Sequence, residues 1–347
     1  MVRTKITFLY SEVAGYFLAC ANELSRVADV LVVRWPVNKE APFQLEVDER
    51  VRIVDKSNYS EKELFELVKD FNPEIVVCSG WMDKQYLEIT KKLDNSIIKV
   101  LSLDNHWVGN VKQQVARLIS PVYLKRIFSH AWVPGLKQEI FAKKLGFGNN
   151  IVKGFYCADT RLFKEKYNQS IEKKSELFPK RFLYVARYVK HKGIFEMWEA
   201  FNELQKEMPN EWELWCLGTG DEWDNRVEGD KIKHFGFVQP KDMDEFVENT
   251  GVYILPSVFE PWGVSVQEFA IAGFPMILSD AIGSKEAFLK DNGYSFEAGK
   301  KEELKSAMKK MILAADIDLK AMAFKSHQIG MEYTTEMWVE RLMSLKK

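Results

Sequence analysis

The chain has no Cys-x-x-Cys pair. Its four cysteines, Cys20, Cys78, Cys157 and Cys216, stand singly along 347 residues, a spacing that argues against a zinc site and against a disulfide framework. It has almost no net charge, −1 from 49 basic and 50 acidic residues, so no global field draws it to nucleic acid. No run approaches the roughly 18 apolar residues of a membrane span. Neither a solenoid-length repeat nor a low-complexity tract is visible. The first residues, MVRTKITFLYSEVAGYFLACA, carry the early basic groups and apolar content of a secretory leader. Glu12 interrupts that run, however, and ITFLY reads better as a first buried strand. A reducing cytoplasm is the compartment these features favour.

What is present is the composition of a globular protein, 46% hydrophobic and 29% charged. At 347 residues the chain is too long for one ordinary core and suits two domains. Apolar runs recur from the start: ITFLY (6–10), VLVVRW (30–35), EIVVCSG (74–80), IKVLSL (98–103) and HAWVPG (130–135). Amphipathic stretches separate them, such as EKELFELVKDF (61–71), where Leu64, Leu67 and Val68 share a helical face. The polar segment KEKYNQSIEKKSELFPK (164–180) reads as a hinge or surface excursion. Beyond it the alternation restarts with RFLYVAR (181–187), WELWCLG (212–218), IKHFGF (232–237), GVYILP (251–256) and PMILSD (275–280). Alternation of this kind predicts an α/β protein made of two Rossmann-like, doubly wound domains. We place the first at 1–163 and the second at 164–330, with a last helix over 331–347 that packs on either. In such sheets ligands bind after the carboxyl ends of the strands.

One such place holds FEPWGVSVQEFAIAGFP (259–275). GVYILPS is a strand, FEPWG a turn, VSVQEFAIA a helix, and Gly273 with Pro275 closes it. The amides of Gly263, Val264 and Ser265 are the unpaired donors of that first helical turn and suit an anion. A phosphate there sets Glu260 beside whatever the phosphate carries, with Glu268 a short distance on, and carboxylates accept well from sugar hydroxyls. The plainer reading of the same acids is a helix-start residue favoured by the macrodipole and a solvated helix position.

The pattern E-P-W-G-x-x-x-x-E followed by A-x-A-G-x-P resembles the E-x7-E signature of retaining glycosyltransferases of the GT-B fold, family 4 in particular. VARYVKHKG (185–193) is similar to that family's strand and basic loop, and GFYCADTRLF (154–163) to its entry into the second domain. LGTGDEW, HFGFVQP, DAIGSKEAF and DNGYSF follow in the family's order. The chain departs at Ala186 and Ser284, where the family usually has glycine, and at Tyr188, where it usually has leucine. It has only Gly15 where the N-terminal domain usually carries a Gly-Gly phosphate loop. The resemblance implies two domains facing a cleft, an acceptor-binding first domain and a second that binds a UDP- or GDP-linked sugar. It implies that Arg187 and Lys192 hold the donor diphosphate, that Glu260 contacts the transferred sugar and Glu268 the ribose, and that Gly236, Phe237 and Val238 border the base. Transfer would go with retention, by same-face attack, to a glycan or lipid-linked acceptor of the cell surface. A sugar-nucleotide epimerase and a non-catalytic nucleotide-sugar binder share the architecture.

Three further readings concern the remainder. SLDNHWVG (102–109) carries Asp104 and His106 at a strand tip, and the resemblance implies a place for His106 near the donor sugar; Glu12, near Gly15, is a weaker candidate. Asp242 with Asp244, and Asp316 with Asp318, lie at expected helix starts, where capping accounts for acids, so no required metal is expected. VKQQVARLISPVYLKRIF (111–128) spaces Val111, Val115, Leu118, Ile119 and Val122 on one face with Lys112, Arg117, Lys125 and Arg126 nearby. Such a segment either lies on an anionic bilayer, at the inner face of the plasma membrane, or packs on the sheet with a solvated basic face.

Overall fold

The structure, a computed structural model, describes residues 3–36 and 47–346. It divides into two compact units, one formed by the chain up to Cys157 together with the segment from Thr334, the other by Ala158–Tyr333.

The first unit is built on strands β1 (Thr4–Tyr10), β2 (Ala28–Arg34), β3 (Val51–Asp55), β4 (Ile75–Ser79), β5 (Ile98–Ser102), β6 (His130–Val133) and β7 (Ile151–Lys153). They form a seven-stranded sheet in the order β3-β2-β1-β4-β5-β6-β7. Every pairing is parallel, with Ile6 opposite Val30 and Leu9 opposite Cys78. A parallel sheet is covered on both faces. That is why ITFLY and VLVV are continuously apolar rather than alternating, and Ile6, Phe8, Leu9, Val30 and Val32 are buried. The last helix, Thr335–Met343, belongs to this unit: Trp338 is buried, its Nε1 donates to the Phe155 carbonyl at 2.7 Å, and its ring lies 4.8 Å from that of Trp132.

The second unit repeats the plan with β8 (Arg181–Val185), β9 (Glu213–Leu217), β10 (Ile232–His234), β11 (Val252–Leu255), β12 (Met276–Ser279) and β13 (Gly293–Phe296). The order is β10-β9-β8-β11-β12-β13, again all parallel. In both units the order reverses beside the first strand, between β1 and β4 and between β8 and β11. These are the topological switch points at which such sheets bind ligands.

The segment read as a polar hinge is instead part of a 17-residue helix, Thr160–Glu176, capped by Asp159, whose carboxylate accepts from the Leu162 amide at 3.0 Å. Its buried positions include Phe163, Lys166, Ser170 and Lys174. Long lysine stems cover apolar surface as well as many hydrophobes do. Lys166 ends on the Asp244 carboxylate at 2.7 Å and the Lys241 carbonyl at 3.0 Å, while Lys174 lies 3.7 Å from the centre of the Phe274 ring. A helix with cations on its inner face hides its amphipathic pattern from a hydropathy reading.

Candidate active site

In the second unit the loops after β8 and β11 meet at the switch point. The backbone amides of Val258 and Phe259 both point at the His191 carbonyl, at 2.9 and 3.4 Å. This joins the basic loop of residues 189–193 to the turn carrying Glu260. At the junction Lys192 and Glu260 form an ion pair, both side chains largely shielded from solvent at 14% and 13% exposure. A third segment fixes the turn: the Gly283 amide donates to the Glu260 carbonyl at 2.9 Å and the Ser284 amide to the Trp262 carbonyl at 3.0 Å. Ser284 Oγ donates to the Gly263 carbonyl at 3.2 Å. The serine that replaces the family's glycine therefore acts as a strut under the turn.

The helix after the turn runs Val264–Ile271 behind Gly263, which adopts φ +84. A Cβ there would stand 3.1 Å from Glu260 Cγ, so the backbone approaches the carboxylate as closely as glycine allows. The amides of Gly263, Val264 and Ser265 donate to no acceptor among the described residues. Three donors, the positive end of a helix and the neighbouring Lys192 ammonium make an anion site with one carboxylate at its side.

Two tyrosines missed by the sequence reading complete this floor. The Tyr253 hydroxyl hydrogen-bonds Ser265 Oγ at 2.8 Å, and the Tyr184 hydroxyl donates to the Arg187 carbonyl at 3.1 Å. Burial pushes both hydroxyls well above their ordinary pKa. The Glu260 carboxylate adds to the shift at each, and Glu268 also at Tyr253. A signal existed: each is a hydroxyl inside an otherwise apolar strand, and a buried phenol needs a partner. The His191 imidazole senses the same cluster. Desolvation holds its pKa below the usual value, Lys192 and Arg187 lower it further, and Glu260 opposes them. Arg187 itself is exposed at the rim.

The loop of residues 217–223 lies alongside. The Tyr188 amide donates to the Thr219 carbonyl at 2.9 Å and the Gly218 amide to the Gly236 carbonyl at 2.7 Å. This brings Gly236, and with it Phe237 and Val238, to the same end of the sheet. Tyr188, standing for the family's leucine, is buried, with its hydroxyl 2.8 Å from His234 Nδ1. The loop is thus held by an aromatic contact rather than an aliphatic one.

Glu268, on the helix, keeps part of its surface accessible, yet protein surrounds its carboxyl. Desolvation, then the nearby Asp159 carboxylate, pushes it from its ordinary 4.5 up to about 8. The folded chain therefore holds a proton that the unfolded chain releases above pH 4.5, and stability falls as pH rises from 4.5 to about 8. Glu268→Gln is expected to gain about 1–2 kcal/mol relative to the parent between pH 5 and pH 8. This is less than the full shift implies, because the accessible surface lets solvent screen the charge. Denaturant unfolding at the two pH values measures it, and an equal offset at both would show that the carboxyl is not desolvated.

Of the other sequence candidates, Gly15 and His106 lie in the first unit. Gly15 opens the helix Gly15–Leu24, and a Cβ there would meet nothing within 4 Å. His106 is half-buried; desolvation, then the Lys137 charge, holds its pKa below the usual value. The paired aspartates serve structure. Asp244 opens a helix and binds Lys166, and Asp316 opens another and pairs with Lys180. Among the described residues, no three His, Cys, Asp or Glu side chains converge on a point that could hold a metal ion.

The family model described as glycosyl transferases group 1 matches residues 165–323, which lie within the second unit. No curated protein matches the chain. Among solved structures, sucrose-phosphate synthase from Thermosynechococcus elongatus is 15% identical with a TM-score of 0.74, covering 99% of this chain and 98% of its own. A glycosyltransferase from Rickettsia africae is 13% identical with a TM-score of 0.75 over 99% and 97%. The Anabaena protein HepE, solved in complex with UDP-glucose, is 13% identical with a TM-score of 0.73 over 99% and 100%. At these identities the solved structures establish the fold, and the family match is confined to residues 165–323. Residues 165–323 form a glycosyl transferases group 1 domain, and the chain is a glycosyltransferase of the GT-B fold.

Proposed function

We propose that the chain transfers a sugar from a nucleotide diphosphate, with retention, to a glycan or lipid-linked acceptor of a cell-surface polysaccharide or lipopolysaccharide. In this reading the second unit holds the donor and the first unit the acceptor. The observation that carries it is the Lys192–Glu260 pair beside three unpaired helix amides. An incoming pyrophosphate takes the amides, Lys192 and Arg187, and leaves Glu260 to accept from hydroxyls of the sugar attached to it. As the bond from the anomeric carbon to the phosphate oxygen breaks, negative charge grows on the phosphate and the fixed cations stabilise it. The acceptor oxygen then bonds to the same face of the anomeric carbon, and its proton passes to the departing phosphate. Glu268 binds the ribose, and the loop Gly236, Phe237, Val238 borders the base. In the first unit Gly15 allows a ligand close approach to the backbone, and His106 has a hydrogen bond to offer a sugar.

UDP-glucose is the first donor to try, since HepE was solved with it; GDP-linked sugars follow. Incubation with a donor panel tests the reading. Slow hydrolysis without acceptor supports a transferase, an isomerised donor an epimerase, and binding with no turnover a non-catalytic binder. Activity should persist in EDTA, because the residues assigned to the phosphates are cations and amides; abolition by EDTA would overturn that assignment.

The helix Val111–Ile119 supports a membrane role. None of its residues is buried: Val111 is 79% and Leu118 77% exposed, with Val115, Ile119 and Val122 exposed too. An unpartnered apolar stripe beside Lys112, Arg117, Lys125 and Arg126 matches an anionic bilayer, giving a location at the inner face of the plasma membrane. Vesicles containing phosphatidylglycerol should retain the protein at low salt, and the double variant Val111→Asp, Leu118→Asp should bind at least about tenfold more weakly. Equal retention of parent and variant would remove the helix from the account.

A further inference from the structure

The second unit carries an apolar stripe that its own fold leaves uncovered. The helix Asp316–Gly330 buries Leu319, Ala323, Ser326, Ile329 and Gly330. That face packs on the helix Val264–Ile271, where His327 Nδ1 donates to the Ile271 carbonyl at 2.6 Å and a Cβ on Gly330 would stand 2.5 Å from the Ile271 nitrogen. At about 100° per residue, the positions on the opposite side are Ile317, Ala321, Phe324 and Gln328. All four are exposed, Ile317 at 77%. Two leucines widen the stripe. Leu313, also exposed, ends the preceding helix Lys301–Leu313. Leu177, 74% exposed, sits in a segment tied along the first turn of Asp316–Gly330, by Lys320 Nζ donating to the Ser175 carbonyl at 2.6 Å and by the Lys180–Asp316 ion pair. The other large hydrophobics exposed in this unit, Phe235, Val258 and Phe259, lie in loops after strand ends. Charge along one flank of the stripe is ordered: Asp318 stands near its amino end and Lys325 seven residues on, two turns along the same side. Asp318 makes no ion pair among the described residues. Lys325 meets the Asp291 carboxylate at 3.0 Å, and with that carboxylate almost fully in solvent the pair holds little.

We propose that this stripe is the interface of a homodimer, in which two copies of the helix Asp316–Gly330 pack antiparallel about a two-fold axis. In a two-fold contact each patch must be its own complement. Antiparallel packing sets Phe324 of one copy over the partner's Ile317, and Asp318 beside the partner's Lys325, each twice over by symmetry. Ala321, at the centre, has only a methyl group and lets the helices approach closely. Parallel packing would set aspartate on aspartate and lysine on lysine, and like-charge repulsion opposes it. The apolar stripe from Ile317 to Phe324 covers about two turns, roughly 10 Å. A contact of that length falls below the standard interface of about 800 Å² per partner. The dimer is therefore weak, with a dissociation constant on the order of 10–100 µM.

Sedimentation velocity on the full chain at low salt, from about 1 to 500 µM, tests this. The parent should pass from monomer to dimer across that range. Asp318→Lys makes lysine face lysine at both ends of the contact, and Lys325→Asp makes aspartate face aspartate; each should weaken the dimer about tenfold or more. Mixed in equal amounts, these two variants should pair with one another at least as tightly as the parent pairs with itself, because every lysine then meets an aspartate. Phe324→Asp should leave only monomer. All these side chains are exposed, and denaturant midpoints close to the parent's verify that the variants fold. A parent that stays monomeric to the top of the range overturns the proposal, a result that needs no variant. So does a dimer that Phe324→Asp and both charge variants leave unchanged, since it must use another face. A mixture that fails to pair while the parent dimerises overturns it too, because the antiparallel register requires that pairing.

Discussion

Replacing Glu260 by alanine is expected to lower turnover by about 10²–10³-fold, some 3–4 kcal/mol, while nucleoside diphosphate affinity stays the same or tightens by up to about threefold. The asymmetry follows from the position of the carboxylate. It lies beside the anion site, paired with Lys192, so it has no attractive contact to offer a phosphate. In the proposed reading its work falls on the sugar, whose hydroxyl contacts must strengthen as the anomeric carbon gains positive character. Removing it also releases Lys192, which is free to turn wholly to the pyrophosphate. Glu268→Ala should act in the opposite sense, weakening nucleotide binding more than the chemical step, because its place is further along the helix, facing the ribose in this account. Titration calorimetry with UDP and steady-state hydrolysis of the donor read the two quantities separately. Small and equal losses in both variants would mean that these acids are helix residues with no ligand to hold.

The strands were legible because parallel sheets bury both faces. Ten apolar runs correspond to β1, β2, β4, β5, β6, β8, β9, β10, β11 and β12. The strands that went unread lie at sheet edges or are only partly buried. β3 and β7 end the first sheet, and β13 ends the second; most of their residues keep some exposure, so VRIVD, IVK and GYSF carry a weak apolar signal. The helix 160–176 went unread for a different reason, its inner face being made of lysine stems. In the site, the order of motifs set Lys192, Glu260 and the helix amides after strand ends, which is where the structure has them. Pairing across the chain was not legible: nothing in YVKHKG shows that Lys192 meets Glu260, or that Ile282, Gly283 and Ser284 brace the turn. Nor does sequence show how a cavity is lined. Trp35, Asp83 and Tyr156, which line a cavity of the first unit, follow β2, β4 and β7, are remote in the chain and come together only when those strands join one sheet.

Gly193→Ala should be severely damaging for so small a substitution, with a loss of about 3 kcal/mol or more in stability and about 100-fold or more in turnover. Gly193 ends the basic loop at φ +68 and leads into the helix Ile194–Glu207. A Cβ built there stands 2.2 Å from the Pro256 carbonyl oxygen and 3.0 Å from its carbon, and both atoms are backbone at the end of β11. A side chain in that place rotates away, whereas a carbonyl fixed to a central strand does not. The loop must therefore lift, and with it goes the His191 carbonyl that holds Val258 and Phe259, and Lys192 that meets Glu260. Gly236→Ala is the control that isolates this cause. Gly236 has the same left-handed backbone, φ +71, but its Cβ would approach nothing nearer than 3.9 Å. It should pay only the conformational penalty, about 1 kcal/mol. If the two alanine variants unfold at the same denaturant concentration, backbone conformation alone sets the cost. The basic loop would then not be clamped against β11, and the ion pair would lose the support that makes it a fixed part of the site.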